Sequence, residues 1–88
     1  MFSLKNKVAI VTGSNKGIGK GIAMAFAKFG AHVVVVGRNE SLNIAVSEEI
    51  KSLGVRSLPV KLDVTDEKSV KFFFSTVMLE FEKIDILV

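Results

Sequence analysis

The residues with the clearest chemistry run Thr12-Gly13-Ser14-Asn15-Lys16-Gly17-Ile18-Gly19, a T-G-x-x-x-G-x-G pattern directly after a short apolar run. Glycine permits a sharp turn, bares backbone N–H groups and lets a phosphate approach closely at the positive N-terminus of a helix. That chemistry suits a diphosphate. Two other phosphate loops fail on spacing. A Walker loop starting at Gly13 needs glycine where Ile18 stands, and Gly19-Lys20 is followed by Gly21 instead of Ser or Thr. A G-x-G-x-x-G run starting at Gly17 meets Ile22 at its last position. A nucleotide-triphosphatase reading is therefore excluded.

A loop of this kind works only if a strand delivers it and a helix receives it. Val8-Ala9-Ile10-Val11 reads as a strand buried on both faces, and from Ile18 the positions Ile22, Ala25, Phe26 and Phe29 recur at helical spacing up to a stop at Gly30. Val33 to Val36 is a second buried strand, and Gly37-Arg38-Asn39 turns out of it. A second helix from about Ser41 places Leu42, Ala45, Val46, Ile50 and Leu53 on one face and stops at Gly54. Leu58 to Leu62 reads as a third strand, which Pro59 assigns to an edge because proline donates no ladder hydrogen bond. Thr65 can cap a third helix with Asp66 and Glu67 in its first turn and Val70, Phe73, Phe74, Val77, Met78 and Phe81 on its apolar face. Phe72 points off that face, toward the rest of a larger protein or another subunit. Ile84 to Val88 opens a fourth strand, within which the chain stops.

The order βαβαβαβ predicts an α/β fold: a Rossmann-like parallel sheet of strand order 3-2-1-4, truncated after its fourth strand. Residues 1–88 are expected to be the N-terminal part of one such domain. Right-handed crossovers put the first two helices on one face and the third on the other, with the switch point between strands 1 and 4 above Gly13.

Thr12-Gly13-x-x-x-Gly17-Ile18-Gly19 resembles the cofactor signature of the short-chain dehydrogenases/reductases, and the resemblance runs from about Lys7 to Val88 through Asp63-Val64 and Ile84-Asp85-Ile86-Leu87-Val88. It implies that Gly13, Gly17 and Gly19 shape a diphosphate site, with Ser14, Asn15 and Lys16 in the loop and the Ile18 backbone beside it. On this reading Gly19 leaves the space a phosphate needs. A carboxylate at the end of strand two would hydrogen-bond a ribose 2′-hydroxyl and repel a 2′-phosphate, but positions 36 to 38 are Val36, Gly37 and Arg38. Arg38 can make a bidentate contact to phosphate and Lys16 adds a second charge, as in NADP-preferring members of the family. NADP is therefore the expected cofactor ahead of NAD; the alternative is that both are solvated loop cations. The family places an acid where Asp63 stands, hydrogen-bonded to the adenine amino group, with Val64 beside the ring. From the sequence alone Asp63 could equally start the third helix.

The same family reduces carbonyls or oxidises alcohols with a Tyr, a Lys and a Ser, and this chain contains no tyrosine. No catalytic residue is assigned within it. The expectation is the NADP-binding portion of an oxidoreductase whose full-length form acts on a small carbonyl or alcohol substrate, such as a 3-oxoacyl thioester, and assembles as a homo-oligomer. The competing reading is a non-catalytic nucleotide-binding or interaction module. Other classes are excluded on composition. The twelve Lys and Arg residues form no basic stripe for nucleic acid, and zero Cys with one His leaves no metal set. His32 has no acidic or nucleophilic partner at a recognisable spacing and reads as packing. No apolar run spans a membrane and no signal peptide precedes Val8, so a soluble, cytoplasmic protein is expected.

Overall fold

Alternation along two strands builds the whole molecule. The computed structural model describes residues 3–63 and 65–88. In β1 (Val8–Thr12) and β2 (His32–Gly37), Val8, Ile10, Val34 and Val36 face one side while Val11, Val33 and Val35 face the other. Successive strand residues point to opposite faces, so two apolar surfaces arise and each needs a cover. Helices α1 (Gly17–Lys28) and α2 (Glu40–Lys51) cover one, and α3 (Glu67–Phe81) covers the other with Phe73, Val77 and Phe81. With β3 (Ser57–Lys61) and β4 (Ile86–Leu87) the all-parallel sheet has the order β3-β2-β1-β4. Pro59 lies in the edge strand β3, opposite Val35. The expected fold class, strand order and helix sides are all present.

Several local expectations need correction. In α1 the fully buried positions are Ala23 and Ala27; Ile22 and Phe26 are partly buried, Ala25 is exposed and Phe29 is half-exposed. Gly19, Ala23 and Ala27 form an i, i+4 line of small residues, which lets the helix sit close to the sheet. The buried positions of α2 are Asn43, Val46, Ser47 and Ile50, so two polar side chains stand where Leu42, Ala45 and Leu53 were expected. They are buried because polar partners await them: Ser47 Oγ donates to Ser57 Oγ at 2.9 Å, and Ser57 Oγ donates in turn to the Val33 carbonyl at 2.8 Å. The cap of α3 is Asp66, which accepts from the Lys68 N–H at 3.0 Å, while Thr65 bonds back to Asp63. Phe74 is half-exposed, edge-on to the buried Phe73. Strand β3 starts at Ser57, one residue early, and β4 is two residues long, although Asp85 N–H to Val8 and Val88 N–H to Ile10, both 2.9 Å, continue its pairing.

His32 lies at the start of β2, the sheet end opposite the glycine loop. Its Nδ1 accepts from the Arg56 N–H at 3.0 Å and its ring stacks on Phe81 at 6.1 Å. Burial, followed by the charges of Arg56 and Lys83, holds its pKa below the ordinary value. The unfolded chain then binds the proton more readily, so the stabilisation is present above the ordinary imidazole value of about 6.5 and is lost as pH falls through the folded value. Thermal melts between pH ~7.5 and ~5 should show a decline that is shallower in His32→Gln. Equal slopes would show that His32 does not contribute. Among the described residues no helix is long and apolar enough to cross a membrane.

Candidate functional site

The glycine loop is fastened before it meets any ligand. Gly13 and Gly17 have φ values of 62° and 60°, a region that side-chain-bearing residues rarely adopt, and so bend the chain at both ends of the loop. Between them Ser14 and Asn15 are buried. The Ser14 N–H donates to the Val36 carbonyl at 3.2 Å, and the Val36 N–H donates to Ser14 Oγ at 3.0 Å. This two-way clasp fixes the loop against the end of β2, with the Ser14 hydroxyl turned inward. Asn15 Nδ2 donates to Asn43 Oδ1 at 3.0 Å.

Lys16 is the N-cap of α1, makes no side-chain cap bond, and no acidic residue follows in the first turn. The positive end of that helix is thus left without a side-chain acceptor, as an anion site requires. Gly19 is needed for a different reason from the one the sequence suggested. A Cβ there would fall on the Gly13 carbonyl oxygen, with the Gly13 carbonyl carbon at 2.8 Å and Ser14 Cα at 3.2 Å. Helix and loop backbones touch at this glycine; the space it leaves is filled by the chain itself.

A cleft of ≈ 630 Å³ opens over the C-terminal ends of β1, β2 and β3. Gly13, Asn15, Lys16, Arg38 and Asp63 line it, beside Val36, Leu42 and Leu62. Gly17, Ile18 and Gly19 stand at the start of α1, outside the cleft wall, with the Ile18 side chain 85% exposed. Ser14 lies beneath the wall, and Val64 is outside the described residues. Neither Lys16 nor Arg38 takes part in an ion pair among the described residues. Glu40, the first acid after Arg38, is in the first turn of α2 at its positive end and outside the cleft wall.

Asp63 Oδ1 accepts from Thr65 Oγ1 at 2.7 Å and from the Thr65 N–H at 3.0 Å. These bonds, with the nearby Arg38 charge, hold its carboxyl below the ordinary carboxylate range. Asp63 is an ionised acceptor facing the cleft, and capping α3 is left to Asp66. Sequence reading missed Asn43, which donates to the Gly37 and Val60 carbonyls at 3.0 and 3.1 Å. Its signal was spacing: Asn43, Val46, Ser47 and Ile50 fall on one helical face. Among the described residues no cluster of metal-ligating side chains occurs.

Residues 7–88 match the short chain dehydrogenase family. The 2-dehydro-3-deoxy-D-gluconate 5-dehydrogenase of Pseudoalteromonas atlantica is 42% identical over 88 residues, which cover 99% of this chain and 35% of that protein. The 12alpha-hydroxysteroid dehydrogenase of a Clostridium species is 45% identical over 89 residues, covering 93% of this chain and 34% of that protein. Among solved structures, a 7 alpha-hydroxysteroid dehydrogenase complexed with NADH and 7-oxo glycochenodeoxycholic acid matches with a TM-score of 0.92 and 37% identity, over 98% of this chain and 34% of that one. The chain spans about a third of the length of these relatives.

Proposed function

This chain belongs to the short-chain dehydrogenase family, and from that premise we propose that it forms the NADP-gripping portion of an oxidoreductase that moves hydride between NADP(H) and a small carbonyl or alcohol substrate. One observation carries the choice of cofactor. Arg38 and Lys16 face the same cleft from the ends of β2 and the glycine loop, and no carboxylate occupies positions 36 to 38. Family membership alone does not choose, since the hydroxysteroid dehydrogenase above is complexed with NADH. The two charges support NADP: a guanidinium can grip a 2′-phosphate through two charge-assisted bonds, and a lysine adds a point charge.

The other residues fit the remaining parts of such a ligand. The uncapped amides at the start of α1 suit the diphosphate, and Leu42 and Leu62 supply apolar walls. The Asp63 carboxylate, fixed as an acceptor by Thr65, suits the adenine amino group. The bound nicotinamide would supply the hydride. The substrate is a small ketone or secondary alcohol, with hydroxysteroids, sugar acids and 3-oxoacyl thioesters as the classes to assay, and the whole protein is a cytoplasmic homo-oligomer. Phe72 and Leu79, 72% and 86% exposed on α3, are apolar surface available for such burial.

Calorimetry on the intact protein tests the reading. Arg38→Asp should shift the NADP-to-NAD affinity ratio by roughly 10- to 100-fold toward NAD, the equivalent of losing charge-assisted bonds worth ~1.5–3 kcal/mol. NAD binding as tight as NADP in the unmodified protein, or a ratio indifferent to Arg38, would overturn it.

A further inference from the structure

We propose that Asn43, a residue of α2 outside the cleft wall, is a positioning residue that sets the spacing between Lys16 and Arg38 and through it the preference for a 2′-phosphate. The inference rests on the NADP reading above and deepens it. Asn43 is fully buried, yet every polar atom of its side chain is engaged. Nδ2 donates to the Gly37 carbonyl at 3.0 Å and to the Val60 carbonyl at 3.1 Å, and Oδ1 accepts from Asn15 Nδ2 at 3.0 Å. Asn15 is bonded directly to Lys16, and the Gly37 carbonyl belongs to the peptide unit that begins Arg38. A continuous link therefore runs from Lys16 through Asn15, Asn43 and Gly37 to Arg38, and its centre is one buried amide.

Gly37 shows how close this link lies to the strand. A Cβ at that position would collide with Asn15 Nδ2 and lie 2.9 Å from Asn43 Oδ1. The glycine leaves room for the amide pair to pass beside the end of β2. The Ser14–Val36 clasp holds the loop's backbone to the same strand one residue earlier. The Gly37 carbonyl also accepts from the Leu62 N–H at 3.2 Å and the Lys16 carbonyl from the Lys20 N–H at 3.2 Å. Each cation's segment is thus held to its own element, and the asparagine pair is the side-chain link between the two. A single phosphate meets both charges at lower cost when their separation is set in advance, because each cation is on a different segment and each would otherwise pay side-chain and backbone ordering on binding.

Removing the bridge should therefore weaken the 2′-phosphate contact selectively, while the diphosphate amides at the start of α1 continue to bind. A merely structural role would lower NADP and NAD affinity by the same factor. The test is titration of the intact protein and its Asn43→Ala, Asn15→Ala and double variants with NADP and with NAD. The NADP-to-NAD affinity ratio is expected to fall about tenfold in each single variant and no further in the double, because partners in one network are not additive. An unchanged ratio in folded variants overturns the positioning role and leaves the NADP reading intact. Absence of NADP preference in the unmodified protein overturns both. If Asn43→Ala fails to fold, Asn15→Ala decides, since it keeps the bonds to Gly37 and Val60; failure of both to fold assigns the pair to stability alone and overturns the proposal.

Discussion

Gly19→Val should abolish cofactor binding, at least a 100-fold loss, although residue 19 lies outside the cleft wall. The expected cause is backbone contact. The added Cβ would land on the Gly13 carbonyl oxygen, and the nearest relief is to slide α1 or open the loop. Either movement pulls Gly13 and Ser14 away from the Val36 clasp and turns the first amides of the helix off their common target. Overpacking of this kind costs typically ~1–3 kcal/mol, and valine adds two γ carbons where even alanine is too large. Gly21→Ala is the control: two residues along the same helix a Cβ meets nothing within 4 Å. There alanine should raise stability by roughly 0.5–1 kcal/mol and leave binding alone. NADPH fluorescence titration with parallel thermal melts separates the two. A folded Gly19→Val protein with an unchanged titration would remove this loop from the site.

That glycine shows what a sequence can and cannot convey. The T-G-x-x-x-G-x-G spacing identified the turn, because positive φ at Gly13 and Gly17 follows from residue type at fixed local offsets. The task of Gly19 was misread because contact with the Gly13 carbonyl is set by how closely α1 lies on the sheet, and the small-residue line Gly19, Ala23, Ala27 is quieter than the apolar residues Ile22 and Phe26 beside it. The same bias hid Asn43 and Ser47. Hydrophobic period ranks leucine above asparagine at a buried position, yet an asparagine whose donors and acceptor all find partners is buried at little cost, while Leu42 and Leu53 remain half-exposed. Pro59, by contrast, located its strand correctly because the missing donor is a property of the residue itself.

The 88-residue chain alone is expected to show no measurable carbonyl reduction, even with saturating NADPH. Reducing a ketone requires a proton for the developing alkoxide as well as a hydride, and the chain contains no tyrosine to give one. The carboxyl in the cleft cannot substitute. The Thr65 bonds hold Asp63 below the ordinary carboxylate range, so near neutrality it is a proton acceptor with nothing to donate. General acid catalysis contributes typically ~10²–10⁴-fold, and a site that does not position the substrate forfeits more again. The two losses multiply, because proton transfer helps only a carbonyl already held against the hydride donor. Following NADPH oxidation with ketones, hydroxysteroid-derived ketones and 3-oxoacyl thioesters, on chain freed of host reductases, measures the residual rate. Turnover that copurifies with the folded chain and disappears in Gly19→Val would place a proton donor among these residues and overturn the division of labour proposed for them.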